Sequence, residues 1–137
     1  MTRKDLQALA RSRLADARAL LDAGRYDGAY YLLGLAVECS LKACIAKLVK
    51  RHEFPNKKMT ADSYSHDISQ LVRAAGLELT LNADIAADTL FGGKWLIVKN
   101  WSIESRYISS GNLKAIALDA AINDRRHGVM RWIRQHW

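Results

Sequence analysis

The sequence predicts an all-α protein, an up-and-down four-helix bundle with one or two additional short helices, in a single domain over residues 1–137. From Tyr30 to Ala43 the chain is apolar at nearly every azimuth of a helix, with Glu38 and Lys42 as the one acid and the one base. Such a helix needs neighbours on several sides, where an ordinary surface helix needs one. Apolar residues recur at helical spacing before it (Leu6, Ala10, Leu14, Ala17, Leu21) and near the end of the chain (Leu118, Ile122, Val129, Ile133). The run Lys94–Trp101 also suits a strand, but nothing elsewhere in the sequence offers a partner strand, so helix is the consistent reading.

The elements follow in order. Residues 3–23 form an amphipathic helix stopped by Gly24 at a C′ position. The central helix runs from about Tyr26 to Arg51 and ends before Phe54-Pro55-Asn56, because proline disfavours helix at the residue before it. Residues 52–64, polar and with the only proline, read as a loop. Ser63 or Ser65 is the candidate cap of a short helix from Asp67 to Ala75 that buries Ile68, Leu71 and Val72 and stops at Gly76. Asn82 or Asp84 opens a further short turn, and Gly92-Gly93 punctuates before the Lys94–Trp101 helix. Ser109-Ser110-Gly111-Asn112 marks the last turn, and the final helix runs to the C-terminus with a bend or exposed stretch around Arg125-Arg126-His127-Gly128.

Composition sets the class. Half the residues are apolar and 26% are charged, which is ordinary for a soluble core. The central helix is long enough to raise the question of a membrane span, but Glu38 and Lys42 would each cost roughly 2.5 to 3.5 kcal/mol at its middle, so no membrane association is expected. The N-terminus runs straight into an amphipathic pattern with no apolar leader, which places the expected location in the cytoplasm. Cys39 and Cys44, about 7.5 Å apart along one helix, are too far apart to bridge and read as small core residues in a reducing compartment.

The net charge of +7 is unevenly spread. Cations crowd the first helix, the segment from Lys47 to Lys58 and the last helix (Arg125, Arg126, Arg131, Arg134), while acids dominate between Met59 and Gly93. That segregation favours polyanions on one side and a basic partner on the other, without naming a ligand. Glu38 and Lys42 are spaced i,i+4 among apolar residues, so the carboxylate needs a cation, supplied either by Arg106 in part or by Lys42 alone. His66-Asp67 reads as helix capping or packing. His52, His66, His127 and His136 lack the spacing of a metal site, and no phosphate-binding glycine loop occurs, so neither metal nor cofactor is expected. Trp95 and Trp101 are candidates for base stacking, a subunit contact or the core.

Several of these residues fall in a known order. Gly-x-Tyr before an alanine-rich helix, Ala36-Val37-Glu38-x-x-Leu41-Lys42-Ala43, Ser65-His66-Asp67-Ile68-x-x-Leu71 and Glu104-x-Arg106-Tyr107 together resemble the HEPN superfamily (higher eukaryotes and prokaryotes nucleotide-binding). The likeness spans roughly Arg18 to Tyr107. It implies an all-α bundle, usually a homodimer, often encoded beside a minimal nucleotidyltransferase in a toxin–antitoxin pair, with many members acting as metal-independent ribonucleases. Those ribonucleases share Arg-x4-6-His, in which arginine neutralises the scissile phosphate and histidine moves a proton. Here Lys99 takes the place of the arginine, Asn100 keeps the polar position and Glu104 stands in place of the histidine. The resemblance therefore implies a degenerate, non-catalytic member.

The expected function is binding of a nucleotide, RNA or a protein partner by Lys99, Asn100, Glu104, Arg106 and Tyr107, with Arg125 and Arg126 as nearby electrostatic support. Two alternatives stand beside it. One is a metal-independent endoribonuclease toxin using Arg131 and His136, which satisfy Arg-x4-His at the chain end, or Arg106 and Glu104. The other is a purely structural bundle that docks a nucleotidyltransferase-like partner.

Overall fold

Thr2 and Asp5 open the first helix reciprocally. The Asp5 amide donates to the Thr2 hydroxyl (3.1 Å) and the Thr2 amide donates to the Asp5 carboxylate (2.8 Å), which satisfies two of the free donors of the first turn. The computed structural model describes residues 1–49, 57–109 and 111–137, and among them there is no strand. Helix α1 spans Arg3–Asp22 and α2 spans Tyr26–Leu48, with Gly24 between them at φ +71°, the left-handed position a non-glycine residue adopts only with strain. Four short or medium helices follow: α3 (Lys57–Ser63), α4 (Ile68–Ala74), α5 (Glu78–Ala87) and α6 (Thr89–Lys99). A 3-10 segment, Ile103–Tyr107, then leads to α7 (Gly111–Asn123) and α8 (Val129–Arg134).

α2 is the axis of the fold. It packs on α1, α4, α7, α8 and the 3-10 segment, and Leu33, Ala36, Val37, Leu41 and Ala43 are fully buried. It is the one helix among the described residues long and apolar enough to cross a membrane, and 67% of its most apolar stretch is buried inside the protein. Three contacts set the directions of its neighbours. The Gly111 amide donates to Asp27 Oδ1 (3.2 Å), so α7 starts beside the start of α2. Trp101 Nε1 donates to the Tyr30 carbonyl (3.1 Å), so α6 ends there too. Ser40 Oγ meets Met130 Sδ (3.3 Å), so α8 lies beside the second half of α2. Helices α1, α2, α6 and α7 thus alternate in direction, with the shorter helices closing the far end.

Several local expectations are corrected. The loop expected to Tyr64 contains α3, and the central helix expected to reach Arg51 ends at Leu48, where Val49 turns to extended backbone; Phe54-Pro55-Asn56 lies outside the described residues. The cap of α4 is Asp67, whose carboxylate accepts the Gln70 amide (2.9 Å), and neither Ser63 nor Ser65. Asn82 and Asp84 lie inside α5, which starts four residues earlier than Asn82, at Glu78. Gly92 and Gly93 lie inside α6, whose cap is Asp88: Oδ1 accepts the Leu90 and Phe91 amides at 3.1 and 3.2 Å. Gly92 serves close packing, since a Cβ there would come within 2.9 Å of Ile85 on α5. The final helix is two helices. Asp124 accepts the Arg126 (3.2 Å) and His127 (2.6 Å) amides, and Gly128 lets the backbone double back where a Cβ would fall 2.3 Å from the Asp124 carbonyl.

The tryptophans belong to the core. Trp95, Trp101 and Trp132 are buried, so neither Trp95 nor Trp101 is free to stack a base. The Trp101 indole lies on Gly34, where a Cβ would approach its ring to 1.9 Å. Cys44 is buried and its thiol is pushed up to about 11 by that burial, and Cys39 is raised for the same reason.

Two glycine substitutions separate packing from backbone freedom. Gly34→Ala should lower the unfolding free energy by at least about 1 to 3 kcal/mol through overpacking against Trp101. Gly93→Ala, with nothing within 4 Å of the new methyl, should raise it by about 0.5 to 1 kcal/mol. Urea denaturation of the two variants beside the parent chain measures both. Native Cys44 should also resist iodoacetamide at pH 8 and react once guanidinium unfolds the chain, as read by mass spectrometry.

Candidate functional site

The acid on α2 is buried, with Glu38 only 5% exposed. Its Oε1 accepts from Lys42 Nζ at 2.9 Å, one turn along the same helix, and from His66 Nδ1 at 2.9 Å, just ahead of the α4 cap. The bond to a carboxylate puts the His66 proton on Nδ1. The expected Arg106 partner is absent: its guanidinium lies over the Tyr107 ring, 4.7 Å from the centroid. The reason is position, because the 3-10 segment lies near Tyr31, two turns before Glu38, whereas the head of α4 reaches Glu38 directly. This cluster ties α4 to α2 and is structural. Asp67 does the capping and His66 pairs with Glu38, which only the packing of α4 on α2 reveals.

Arg106 and Tyr107 are exposed, at the end of the bundle where α2 begins. They line a cavity of about 340 Å³ together with Asp27, Gly28, Tyr31 and Ile108. It adjoins a second cavity of about 540 Å³, lined by Arg25, Tyr26 and Gly24, and the two share Asp27, Gly28 and Ser109. One groove thus carries two arginines and three tyrosines. Arg25, Tyr26 and Tyr31 are not among the residues expected from the sequence; for Arg25 and Tyr26 the available signal was the Gly-x-Tyr turn at the head of α2. Lys99 and Asn100, the last residue and the C-cap of α6, and Glu104 in the 3-10 segment are exposed on the same end. The structure brings Arg106 and Tyr107 into the groove; Lys99, Asn100 and Glu104 form its surroundings.

Arg126 lies elsewhere. It lines a recess of about 200 Å³ beside the start of α6, with Asp84, Asp88, His127, Arg131 and Trp132. Lys99 is at the other end of that helix, about 16 Å away at 1.5 Å per residue. Arg125 and Arg126, expected to support the Arg106 end, belong to the opposite one. His127 Nδ1 is 2.6 Å from Asp88 Oδ2, and that bond holds the Asp88 carboxyl below the usual carboxylate range, with the Phe91 amide adding to it. Asp88 and His127 were missed because 39 residues separate them.

Arg131 and His136 do not converge. Arg131 is exposed and its Nη1 donates to the Arg126 carbonyl (3.3 Å). The His136 ring packs on Trp132, centroids 4.8 Å apart, and burial lowers its pKa, so it stays neutral at pH 7. A six-residue helix ending at Arg134 sends the two side chains to different surroundings. Among the described residues no group of three or more His, Cys, Asp and Glu side chains is placed to hold a metal ion.

No family model, curated protein or solved structure matches this chain.

The Glu38 cluster makes a direct prediction. Breaking a buried pair costs about 3 to 5 kcal/mol when the remaining charge has no other partner. Because His66 also holds Glu38, Lys42→Met should cost less, about 2 kcal/mol. The double variant Glu38→Gln with Lys42→Met should recover part of that loss in equilibrium denaturation.

Proposed function

We propose that this chain is a HEPN-like bundle that binds a nucleotide or single-stranded RNA without transforming it, as the binding component of a toxin–antitoxin or nucleotidyltransferase-associated pair. The observation that carries the reading is the exposed Tyr107 ring, 72% accessible, with the Arg106 guanidinium stacked on it beside Arg25, Tyr26 and Tyr31. An aromatic face open to solvent offers a base a stacking surface, and adjacent guanidinium groups neutralise its phosphates. Support for the non-catalytic reading is the wide separation of chemistry from this groove. Among the described residues the histidines are engaged elsewhere: His66 with Glu38, His127 with Asp88, and His136 against Trp132. The order of motifs from Gly24 to Tyr107 supports the family reading.

A second copy of the chain is the proposed partner. Leu90, Leu96 and Ile97 on α6 and Leu113 and Ile116 on α7 are all more than 40% exposed, and the two helices pack side by side and antiparallel. Lys94, four residues after Leu90 and three before Ile97, lies on the same side of α6, so a twofold contact along this stripe leaves that cation at its rim. A nucleotidyltransferase-like protein on the same face is the alternative occupant.

Binding of a short single-stranded RNA should weaken with salt at a log–log slope of about −1.4, for two phosphate contacts at about 0.7 each. Tyr107→Ala should weaken it by about 1 to 3 kcal/mol, the worth of one stacked base. Fluorescence anisotropy across a salt series reads both, and affinity indifferent to salt and to Tyr107 removes the assignment. Cleavage of the RNA by the purified chain would replace it with the endoribonuclease reading. In sedimentation the parent chain should be dimeric and Leu96→Glu with Ile116→Glu monomeric; a monomeric parent chain hands the face to the other partner.

A further inference from the structure

At the other end of α6 the structure builds a site that the groove does not use. Its scaffold is the α7–α8 corner, fixed by the two amide bonds to Asp124 and by the close backbone approach at Gly128. That corner delivers His127 to Asp88, the cap of α6, at 2.6 Å. An ionised carboxylate only accepts, so the His127 proton sits on Nδ1 and Nε2 is the ring nitrogen left for another group.

The acids around the recess are already engaged. Asp88 Oδ1 takes the Leu90 and Phe91 amides while Oδ2 takes His127, and Asp84 Oδ2 takes the Trp132 indole N–H at 2.7 Å. Arg126 and Arg131 line the same recess, and neither forms an ion pair with an acid among the described residues. Arg131 is held at the rim by its 3.3 Å bond to the Arg126 carbonyl. The recess thus brings two arginines and an imidazole edge beside two carboxylates, three of whose four oxygens hold internal partners. Its 200 Å³ is space for roughly six waters at about 30 Å³ each. That is room enough for one tetrahedral phosphoryl group.

We propose that the recess formed by Asp88, His127, Arg126, Arg131 and Gln135 is a second, independent site that binds a phosphate monoester. The guanidinium groups of Arg126 and Arg131 take the anionic oxygens in bidentate fashion. His127 Nε2, the ring nitrogen not held by Asp88, meets the phosphoryl group from the third side, donating to a P–O⁻ or accepting from a P–OH. A phosphoryl group suits this arrangement better than a carboxylate, because its three oxygens can meet both guanidinium groups and the imidazole edge at once. Gln135 is placed on the same wall to donate from its amide. The ester's organic part lies outside, over the exposed surface of α8.

Inorganic phosphate is the probe. Titrated into the full chain at pH 7, it should shift the His127 ring signals saturably in long-range proton–nitrogen correlation spectra, whereas chloride at matched ionic strength should not. Arg126→Ala with Arg131→Ala changes two exposed side chains and should raise the apparent Kd at least tenfold while the amide spectrum stays folded. Asp88→Asn keeps a side chain able to cap α6 but loses the carboxylate, and should weaken phosphate binding and move the His127 tautomer signature. An equal response to chloride, no response to phosphate, or an unchanged Kd in the double arginine variant of intact fold would each overturn the proposal.

Discussion

Burial of the Glu38 carboxylate is the constraint from which the rest follows. An ionised acid inside an apolar helix survives only with cations in bonding distance, and α2 itself can supply just one, Lys42, from the next turn. A second donor, His66 Nδ1–H, comes from outside that helix, so the head of α4 has to dock on α2 at that level. The docking buries Ile68, Leu71 and Val72 at the same time. A polar requirement and an apolar gain therefore select the same placement, which is how a helix of seven residues, marginal alone, becomes fixed.

The same helix divides the molecule into two ends of different chemistry. At its start the tight Gly24 turn, the 3-10 segment and the head of α7 surround a groove of arginines and tyrosines. Toward its finish the short helices α5 and α8 close over the start of α6 and place an acid–histidine pair next to two arginines. α6 spans the distance between them, so the two regions sit on one rigid element whose interior face, Phe91, Trp95 and Val98, is locked in the core. A close approach at Gly34 lets Trp101 lie against α2, and one at Gly128 lets the α7–α8 turn fold back on Asp124. Both depend on the lack of a Cβ rather than on backbone freedom.

Much of this was legible from particular residues. The breadth of the apolar surface on α2 identified the central helix, Gly24 its entry, and the Ile68, Leu71 and Val72 triplet the buried side of α4. Short elements were less legible. Gly92-Gly93 looks like punctuation in one dimension, but Gly92 is required because Ile85 presses on it from α5. Residues 57–63 look like loop because their helix has no apolar stripe. Trp101 next to a polar run resembles a ligand-facing aromatic, and its burial against Gly34 becomes evident only when both positions are brought together.

By itself the sequence determined that this chain is all helix, that α2 is its centre, and that the acid on that helix has to be neutralised. These are consequences of periodicity and of the cost of unpaired charge, which act over a few turns of one element. The tertiary structure alone decided which distant donor joins Lys42 on it, His66 rather than Arg106, and which cations gather with which aromatics. It also joined Asp88 to His127 and sent Arg131 and His136 apart. Those outcomes depend on where distant helices cross, and crossing is set by side-chain packing across the core, which spacing along a chain does not encode.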